Sequence, residues 1–285
     1  MYTVAISGST GFIGSHLMAY LSQQGFPVVP LLRSDFTDVA SLQRRLKGCD
    51  AVIHLAGAAI MHRWTKAYKQ RIMSSRVDTT ALLVVAINGL RRKPKVVIST
   101  SGVAIYPREG VHTEQSDQVA DSFLGKVSAA WEAPLHVLDP SVRQLVFRLG
   151  VVMHPDGGIL HRMMLLARWQ LLPLLGNQHV PFPWVYLSDL LDAYLFALRN
   201  ESLRGPVNVV ARTYDKMQSL YLLLHQCYPT AITFRISSWL MRRVLGEESA
   251  LLYKGQYVVA DKLKQAGFFF THTDLLHLYL DEDDA

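Results

Sequence analysis

The pattern of apolar and polar positions divides the first part of the chain, up to about residue 210, into short apolar runs separated by segments of helical period. The runs are rich in Val, Ile and Leu, which is typical of strands buried on both faces of a parallel sheet. Strands are predicted at 2–7, 27–32, 51–55, 95–99, 144–149 and 207–210. Helices are predicted at Phe12–Gln24, Leu42–Lys47, Lys66–Gly89 and Ser122–Trp131. This alternation predicts an α/β fold with a Rossmann-like, doubly wound parallel sheet.

The pattern changes after the fifth predicted strand. Residues 155–204 contain a pair of glycines, a helix rich in Met and Leu and a proline-rich stretch, and residues 212–285 are predicted to be mostly helical. We therefore expect a nucleotide-binding domain over residues 1–154 together with the strand near 206–211. Residues 155–205 and 212–285 are expected to form a smaller cap over the carboxyl edge of the sheet, where ligands bind in such folds.

Composition narrows the class of protein. Half of the 285 residues are hydrophobic and 18% are charged, so the chain can bury a large core. No apolar run approaches the roughly 18 residues of a membrane span, the two cysteines cannot form a disulfide framework, and a strand starting at Tyr2 leaves no room for a signal peptide. These features predict a soluble cytoplasmic protein that does not bind a membrane.

Neither the net charge of +6 nor the 11 histidines indicates a nucleic-acid or metal site. The basic clusters are short and scattered, without a motif that reads bases, so we expect no nucleic-acid partner. The histidines lack the close spacing of zinc ligands, so we expect no metal.

The strongest chemical signal is the segment Gly8-Ser9-Thr10-Gly11-Phe12-Ile13-Gly14 between the first strand and the first helix. In this setting Gly8 makes a tight turn, Gly11 lets the backbone approach a pyrophosphate, and Gly14 lets helix and strand pack closely. The helix N-terminus offers free N–H groups to phosphates. The segment predicts a dinucleotide site that includes all seven residues.

The end of the second strand indicates which dinucleotide binds. NAD-binding proteins usually place an acid there for the ribose 2′-hydroxyl, and NADP-binding proteins place an Arg for the 2′-phosphate. Here the strand runs into Arg33, with Asp35 two residues later. Arg33 therefore favours NADP(H), and the nearby Asp35 leaves NAD as the alternative.

Several motifs carry a family resemblance. The first three are Gly8-x-x-Gly11-x-x-Gly14, Asp50-Ala51-Val52-Ile53-His54-Leu55-Ala56-Gly57 and Ser99-Thr100-Ser101. Further segments are Arg63-Trp64-Thr65, Ser75-Arg76, Thr113-Glu114, Trp131-Glu132, Gly157-Gly158, Trp184-Val185-Tyr186, Leu245-Gly246-Glu247, Gly255-Gln256 and Lys262-Leu263-x-x-Ala266-Gly267-Phe268. Together they resemble the extended or atypical short-chain dehydrogenase/reductase superfamily, and within it the nucleoside-diphosphate-sugar-epimerase-like epimerase family of bacteria, whose relatives bind NADP.

The resemblance implies roles for particular residues. Leu55, Ala56 and Gly57 would contact the cofactor. Arg148, Trp184 and Tyr186 match positions near the cleft and are candidates for binding substrate, although Arg148 is equally suited to hold a structural carboxylate. His54, inside an apolar strand, is expected to be a buried histidine with its hydrogen bonds satisfied.

The chain departs from the superfamily in two ways. About 20 residues are missing after Arg33, which would remove one edge strand and one wall of the adenine pocket. Superfamily chemistry also uses an Asn, a Ser, a Tyr and a Lys; these positions fall on Arg76, Ser101, Leu124 and Ser128. Ser101 is therefore the retained catalytic candidate, and Tyr106, on the loop five residues later, is the candidate substitute acid.

Two functions remain open from the sequence. The first is an NADP(H)-dependent oxidoreductase or epimerase-like enzyme acting on a small polar substrate; the second is a non-catalytic, redox-responsive or regulatory NADP(H)-binding protein. Extended relatives often dimerise through the helices after the third and fourth strands. Pro134 at the end of the second of these helices predicts a monomer or a weak homodimer.

Overall fold

A computed structural model describes residues 2–174, 177–211, 215–235, 255–275 and 278. Its strands are β1 (Val4–Ser7), β2 (Val28–Leu31), β3 (Ala51–His54), β4 (Val96–Gly102), β5 (Val111–His112), β6 (Arg143–Leu149), β7 (Val151–His154), β8 (Leu171–Leu174), β9 (Trp184–Tyr186), β10 (Gly205–Val209), β11 (Ile232–Arg235) and β12 (Tyr257–Val258). Its α-helices are α1 (Phe12–Gln23), α2 (Val39–Leu46), α3 (Lys66–Asn88), α4 (Phe123–Glu132), α5 (Gly158–Arg168), α6 (Leu187–Arg199), α7 (Met217–Cys227) and α8 (Asp261–Gln265). Short 3-10 helices cover Arg33–Thr37, Val103–Ile105 and Ala133–Val137.

Six parallel strands form the central sheet in the order β10-β6-β4-β3-β1-β2. Alternate residues of each strand point to opposite faces. Ile6, Ile53 and Ile98 pack with α1 and α6 on one face. Val52 and Val97 pack with α2 and α3 on the other. This confirms the Rossmann-like, doubly wound fold.

Strand β2 lies at the edge of the sheet and pairs with β1 alone. The chain passes from it through the 3-10 helix Arg33–Thr37 to α2, so the expected loss of an edge strand is observed in the described part of the chain. Pro30 lies within β2, and its carbonyl accepts a hydrogen bond from Arg45 Nη2 at 2.7 Å.

The region after residue 155 is divided between two cores. Helix α6 belongs to the main core: its buried leucines pack with α1 and the central sheet. Helices α5 and α7, together with Trp184 and Tyr186 of β9, form a second apolar cluster. This cluster is the part of the chain that resembles the expected cap.

The C-terminal part of the described chain returns to the sheet. Strand β12 pairs with β5, helix α8 packs beside β10, and Leu263 and Phe268 join the main core. The motif Leu245-Gly246-Glu247 lies outside the described residues. None of the helices among the described residues has the length and apolar character needed to cross a membrane.

Candidate functional site

The glycine-rich turn has the close contacts that a phosphate loop requires. Gly8 has a φ of +69°, and a Cβ placed on it would lie 2.9 Å from the carbonyl of Leu55. A Cβ on Gly14 would lie 2.1 Å from the carbonyl oxygen of Gly8. Only glycine fits either position without moving the backbone. The turn and the loop after β3 are therefore held against each other at the carboxyl edge of the sheet.

The first turn of α1 is available to an anion. Its N-cap is Gly11, which offers no side-chain acceptor for the first N–H groups. Ser9 is buried, Thr10 is exposed and Ile13 is half-buried. The ring of Phe12 faces Gly157 at the start of α5, where a Cβ would come within 2.3 Å of it. The backbone of this segment thus fits a pyrophosphate, while Phe12 joins the loop to the cap.

A chain of buried hydrogen bonds supports the same region. Ser7 Oγ accepts from the N–H groups of Leu55 and Ala56 and lies 2.6 Å from His54 Nδ1. His54 Nε2 lies 3.0 Å from Thr80 Oγ1, which donates to the carbonyl of Arg76 at 2.6 Å.

These contacts fix the state of His54. The Thr80 hydroxyl donates its proton to the Arg76 carbonyl, so toward His54 it must accept a hydrogen bond from Nε2–H. The other ring nitrogen, Nδ1, is then unprotonated and accepts a hydrogen bond from the Ser7 hydroxyl. Burial lowers the pKa of His54 to about 4, so the ring is neutral at pH 7. His54 is a buried histidine with its hydrogen bonds satisfied, as the sequence predicted.

Arg33 lies two residues after the end of β2 and is exposed. Asp35, the residue that left NAD open, is already engaged: its carboxylate accepts from the N–H of Leu32 at 2.7 Å and lies 3.6 Å from Arg45 Nε. Asp35 therefore serves the turn after β2, and Arg33 is the group presented at this edge.

Ser101 lies near the end of β4 on the face that packs against α3, because it is four residues beyond Val97. Its residue is 4% exposed, and its Oγ has no hydrogen-bond partner among the described residues. Buried hydroxyls are nearly always paired. The unpaired hydroxyl is consistent with a ligand group at this position.

Tyr106 does not have the environment of a catalytic acid. It is fully buried; its hydroxyl accepts from Arg148 Nη1 at 2.8 Å and donates to Asn208 Oδ1 at 2.8 Å. Burial is the main cause of its raised pKa. Its proton is committed and no substrate can reach it, so the geometry opposes the catalytic role predicted for Tyr106.

Arg148 is the centre of this structural network. Its guanidinium makes two hydrogen bonds to the carboxylate of Glu132, at 2.9 and 2.7 Å, in addition to the bond to Tyr106. The side-chain amide of the neighbouring Asn208 donates a hydrogen bond to the carbonyl of Val259, and the backbone N–H of Asn208 donates to the carboxylate of Glu114. Of the two roles open to Arg148, holding a structural carboxylate is the one observed. The acidic residues of two motifs, Thr113-Glu114 and Trp131-Glu132, thus both belong to this network.

The two predicted aromatic substrate contacts differ. Trp184 is fully buried, and its Nε1 donates to Asp215 at 2.7 Å, so the geometry places it in the cap core rather than at a substrate. Tyr186 packs against His272 with ring centroids 4.4 Å apart. It also lines an apolar depression with Leu160 and Cys227. Tyr186 remains a predicted substrate contact.

One group among the described residues has a composition suited to a metal: His16, His154 and Asp156 approach one another. Sequence spacing could not find this group, since α1 and β7 bring it together. His16 Nδ1 donates to the Phe12 carbonyl, His154 Nδ1 accepts from the Asp156 N–H, and Asp156 is exposed. We assign no metal to it.

Comparisons with known proteins agree with this geometry. The model of the NAD dependent epimerase/dehydratase family matches residues 4–131, and a domain of unknown function matches residues 236–277. An epimerase family protein of Staphylococcus haemolyticus is 30% identical over 298 residues, covering 98% of each chain.

The chain belongs to the epimerase family.

Solved structures support the same membership. The human epimerase family protein SDR39U1 (isoform 2), solved with NADPH, is 27% identical, covers 96% of each chain and has a TM-score of 0.84. UDP-glucuronic acid 4-epimerase of Bacillus cereus, at 19% identity and a TM-score of 0.80, shares the fold. This epimerase-family chain is therefore an atypical member of the short-chain dehydrogenase/reductase superfamily.

The positions of the missing family groups are also visible. Ser128, predicted to occupy the family's Lys position, is buried, and Leu124, predicted to occupy the Tyr position, is half-buried. Lys126 is exposed and pairs with Asp121 at 2.7 Å, so it does not replace the missing Lys. Sequence reasoning mapped Arg76 only as a lost Asn. The burial of Arg76 beside α4 could not be predicted, because Arg is usually exposed and the apolar residues of α3 do not mark one clear buried face.

Proposed function

We propose that this epimerase-family protein is an NADP(H)-dependent oxidoreductase that reduces a small carbonyl compound. The observation that carries the choice of cofactor is the pair Arg33 and Asp35 after β2. Two observations support this choice: the Asp35 carboxylate, which could select NAD, accepts a hydrogen bond from the N–H of Leu32, and Arg33 is exposed at this edge of the sheet, where an Arg can bind a 2′-phosphate. Leu55, Ala56 and Gly57, at the carboxyl edge beside the glycine turn, are suited to face the ribose side of the cofactor.

The chemistry follows from what the site retains. NADPH supplies a hydride when bound. Ser101, whose buried hydroxyl has no partner among the described residues, would donate a hydrogen bond to the substrate oxygen that gains charge. Without an activated Tyr, the site is poor at removing protons near neutral pH. Reduction is therefore favoured over oxidation and epimerisation.

The cofactor assignment is tested with Arg33→Ala. A guanidinium can hold a phosphate through two charge-assisted hydrogen bonds, so its loss should weaken NADPH binding by at least about tenfold and leave NADH binding nearly unchanged. Both dissociation constants are measured by calorimetry. Arg91→Ala, an exposed Arg at the other end of the sheet, is the control. Equal weakening of both cofactors would refute the 2′-phosphate role.

The reaction is tested with a panel of aldehydes and ketones followed by NADPH absorbance. We expect slow reduction that falls about 10²-fold in Ser101→Ala, and no epimerisation of nucleotide sugars. Turnover unchanged in Ser101→Ala would show that Ser101 is not part of the active site. Rapid sugar epimerisation would contradict the proposed reaction.

The second candidate is a non-catalytic NADP(H)-binding protein. The replacement of the superfamily Tyr and Lys by Leu124 and Ser128 favours it. Selective NADPH binding without turnover across the panel would support this candidate against the first.

A further inference from the structure

Arg76 is a buried cation without an acidic partner. Its residue is 9% exposed, and none of the ion pairs observed among the described residues includes Arg76. One protein acceptor is observed there, the carbonyl of Ile72, at 3.1 Å from Nη1. Burial lowers the pKa of Arg76 to about 10, which still leaves it charged at pH 7.

The other buried arginines show what is missing. Arg148 has the Glu132 carboxylate, and Arg143 donates to two carbonyls at the end of α6 and to that of Leu203 in the loop that follows. Burying an unpaired charge is costly, so buried arginines are normally paired. The guanidinium of Arg76 has five N–H donors, and most of them lack acceptors in the described structure. None of its nitrogens is among the fully buried polar atoms without a partner in the described residues, so the unpaired donors remain accessible to a ligand.

The surroundings of Arg76 place it at the candidate site. Its Cζ lies 4.8 Å from the ring centroid of Trp131 on α4. A Cβ on Gly57, in the loop after β3, would lie 2.9 Å from the same Cζ, so the absence of a side chain there admits the guanidinium. Gly57 is exposed. The cation thus lies between α4 and the predicted cofactor loop.

The face of α4 that meets Arg76 carries the replaced positions. Leu124, Ser128 and Trp131 are spaced four and three residues apart and share one face of the helix. The superfamily has its Lys at the position of Ser128. A cation lost from α4 is therefore present on the neighbouring helix α3, against the same face.

Two further polar atoms in this region lack partners. Ser101 Oγ, on the face of β4 toward α3, and Trp131 Nε1 are both buried without a hydrogen bond among the described residues. Both can donate. Two unpaired donors and one unpaired cation at the junction of β4, α3 and α4 point to a ligand that accepts hydrogen bonds and carries negative charge.

We propose that Arg76 is a substrate-binding residue that holds the carboxylate of a small carbonyl compound. This inference rests on the proposed function and narrows it to carboxylate-bearing substrates, such as keto acids. A neutral carbonyl oxygen could accept hydrogen bonds from the guanidinium but would leave its positive charge uncompensated. A carboxylate accepts the hydrogen bonds and also compensates the charge.

The cofactor is the other possible source of an anion, and the experiment separates the two. Calorimetry is carried out on the protein saturated with NADP+, using oxalate, malonate, succinate and inorganic phosphate as probes and oxamide as the neutral counterpart of oxalate. We expect at least one dicarboxylate to bind and oxamide not to bind. Arg76→Met should weaken the dicarboxylate at least tenfold, and Arg76→Lys should weaken it less.

The matched measurement is NADP+ affinity, which should change less than threefold in Arg76→Met. A loss of tenfold or more in NADP+ affinity with dicarboxylate affinity unchanged would assign Arg76 to a cofactor phosphate and overturn the proposal. Failure of all four anions to bind the unmodified protein would also overturn it. Since these readouts need no turnover, they can succeed even if the reductase activity is absent.

Stability gives an independent check that the variant is folded. Removing an unpaired buried cation should leave the thermal midpoint of the ligand-free protein unchanged or raise it. A structural role for Arg76 predicts the opposite, a lowered midpoint together with lost binding, and that outcome would overturn the proposal.

Discussion

The hydroxyl of Tyr106 is part of a buried hydrogen-bond network, and we expect it to contribute to stability rather than to chemistry. The hydroxyl satisfies both a donor of Arg148 and an acceptor of Asn208 inside the core, and the ring stacks on His112 with centroids 5.1 Å apart. A residue held in this way fixes the loop after β4 relative to β6 and β10. Its position five residues after Ser101 predicts a catalytic role, because spacing does not reveal which side of a loop faces the core.

Tyr106→Phe should therefore destabilise the fold. Two buried polar groups lose their partner, which we expect to lower the free energy of unfolding by about 1–3 kcal/mol. NADPH affinity should not change. The measurement is urea unfolding followed by circular dichroism, with Tyr228→Phe as the control because its hydroxyl contacts Arg168 at an exposed position. Unchanged stability with reduced turnover in Tyr106→Phe would restore the catalytic role.

At the scale of single elements, helix α6 depends on a residue from a neighbouring strand. Arg143, the first residue of β6, donates to the carbonyls of Ala197, Asn200 and Leu203 at 2.9–3.1 Å. The C-terminus of a helix leaves carbonyls unpaired and carries partial negative charge, so a guanidinium there satisfies both.

Arg143→Met should lower the free energy of unfolding by about 2–4 kcal/mol, because three carbonyls lose charged donors. The free energy of unfolding of Arg143→Lys should lie between those of the unmodified protein and Arg143→Met, since an ammonium group reaches fewer of the three carbonyls. The control is Arg199→Met on the exposed side of α6. A difference below about 0.5 kcal/mol between Arg143→Met and the control would show that water replaces the guanidinium.

The elements of the sheet were predictable from sequence, and several contacts of the site were not. The predicted strands 51–55 and 144–149 each differ from the observed β3 and β6 by one residue at one end, because buried parallel strands are continuously apolar. The strand predicted at 95–99 ends before Gly102, because β4 continues through the polar residues Thr100 and Ser101, which interrupt the apolar pattern. The polar pairings depend on residues far apart: Arg148 on β6 meets Tyr106 of a loop, and Arg76 on α3 meets Trp131 on α4. The periodic pattern of apolar residues predicts helices and strands, but it does not predict which side chains from distant segments come into contact.

At the scale of the whole molecule, the buried His54 makes stability depend on pH. Its pKa is about 4 in the folded protein against 6.5 for the free group, because burial disfavours the charged ring. The unfolded chain therefore binds the proton first as the pH falls. The stabilisation is fully present above pH 6.5 and is lost between pH 6.5 and about 4. At 1.36 kcal/mol for each pH unit, the loss is about 3 kcal/mol.

The effect is isolated by comparing the unmodified protein with His54→Gln in urea unfolding at pH 7.5 and 4.5. Carboxylates titrate in both proteins, so the difference between the two pH-dependent losses belongs to His54. We expect the unmodified protein to lose about 2–3 kcal/mol more than the variant. Equal losses would mean that His54 is already accessible to protons in the folded state.

The exposed edge of the central sheet has a consequence for behaviour at high concentration. A β-strand with one neighbour offers its outward N–H and C=O groups to strands of other molecules, which is a route to aggregation. In β2 the carbonyl of Pro30 points outward to Arg45, so the same residue would present its N–H on that side, and proline has none. One proline and one guanidinium thus interrupt the outward row of donors and acceptors halfway along a four-residue strand. The shortened fold can leave this edge uncovered without offering a continuous template on which a second chain could add.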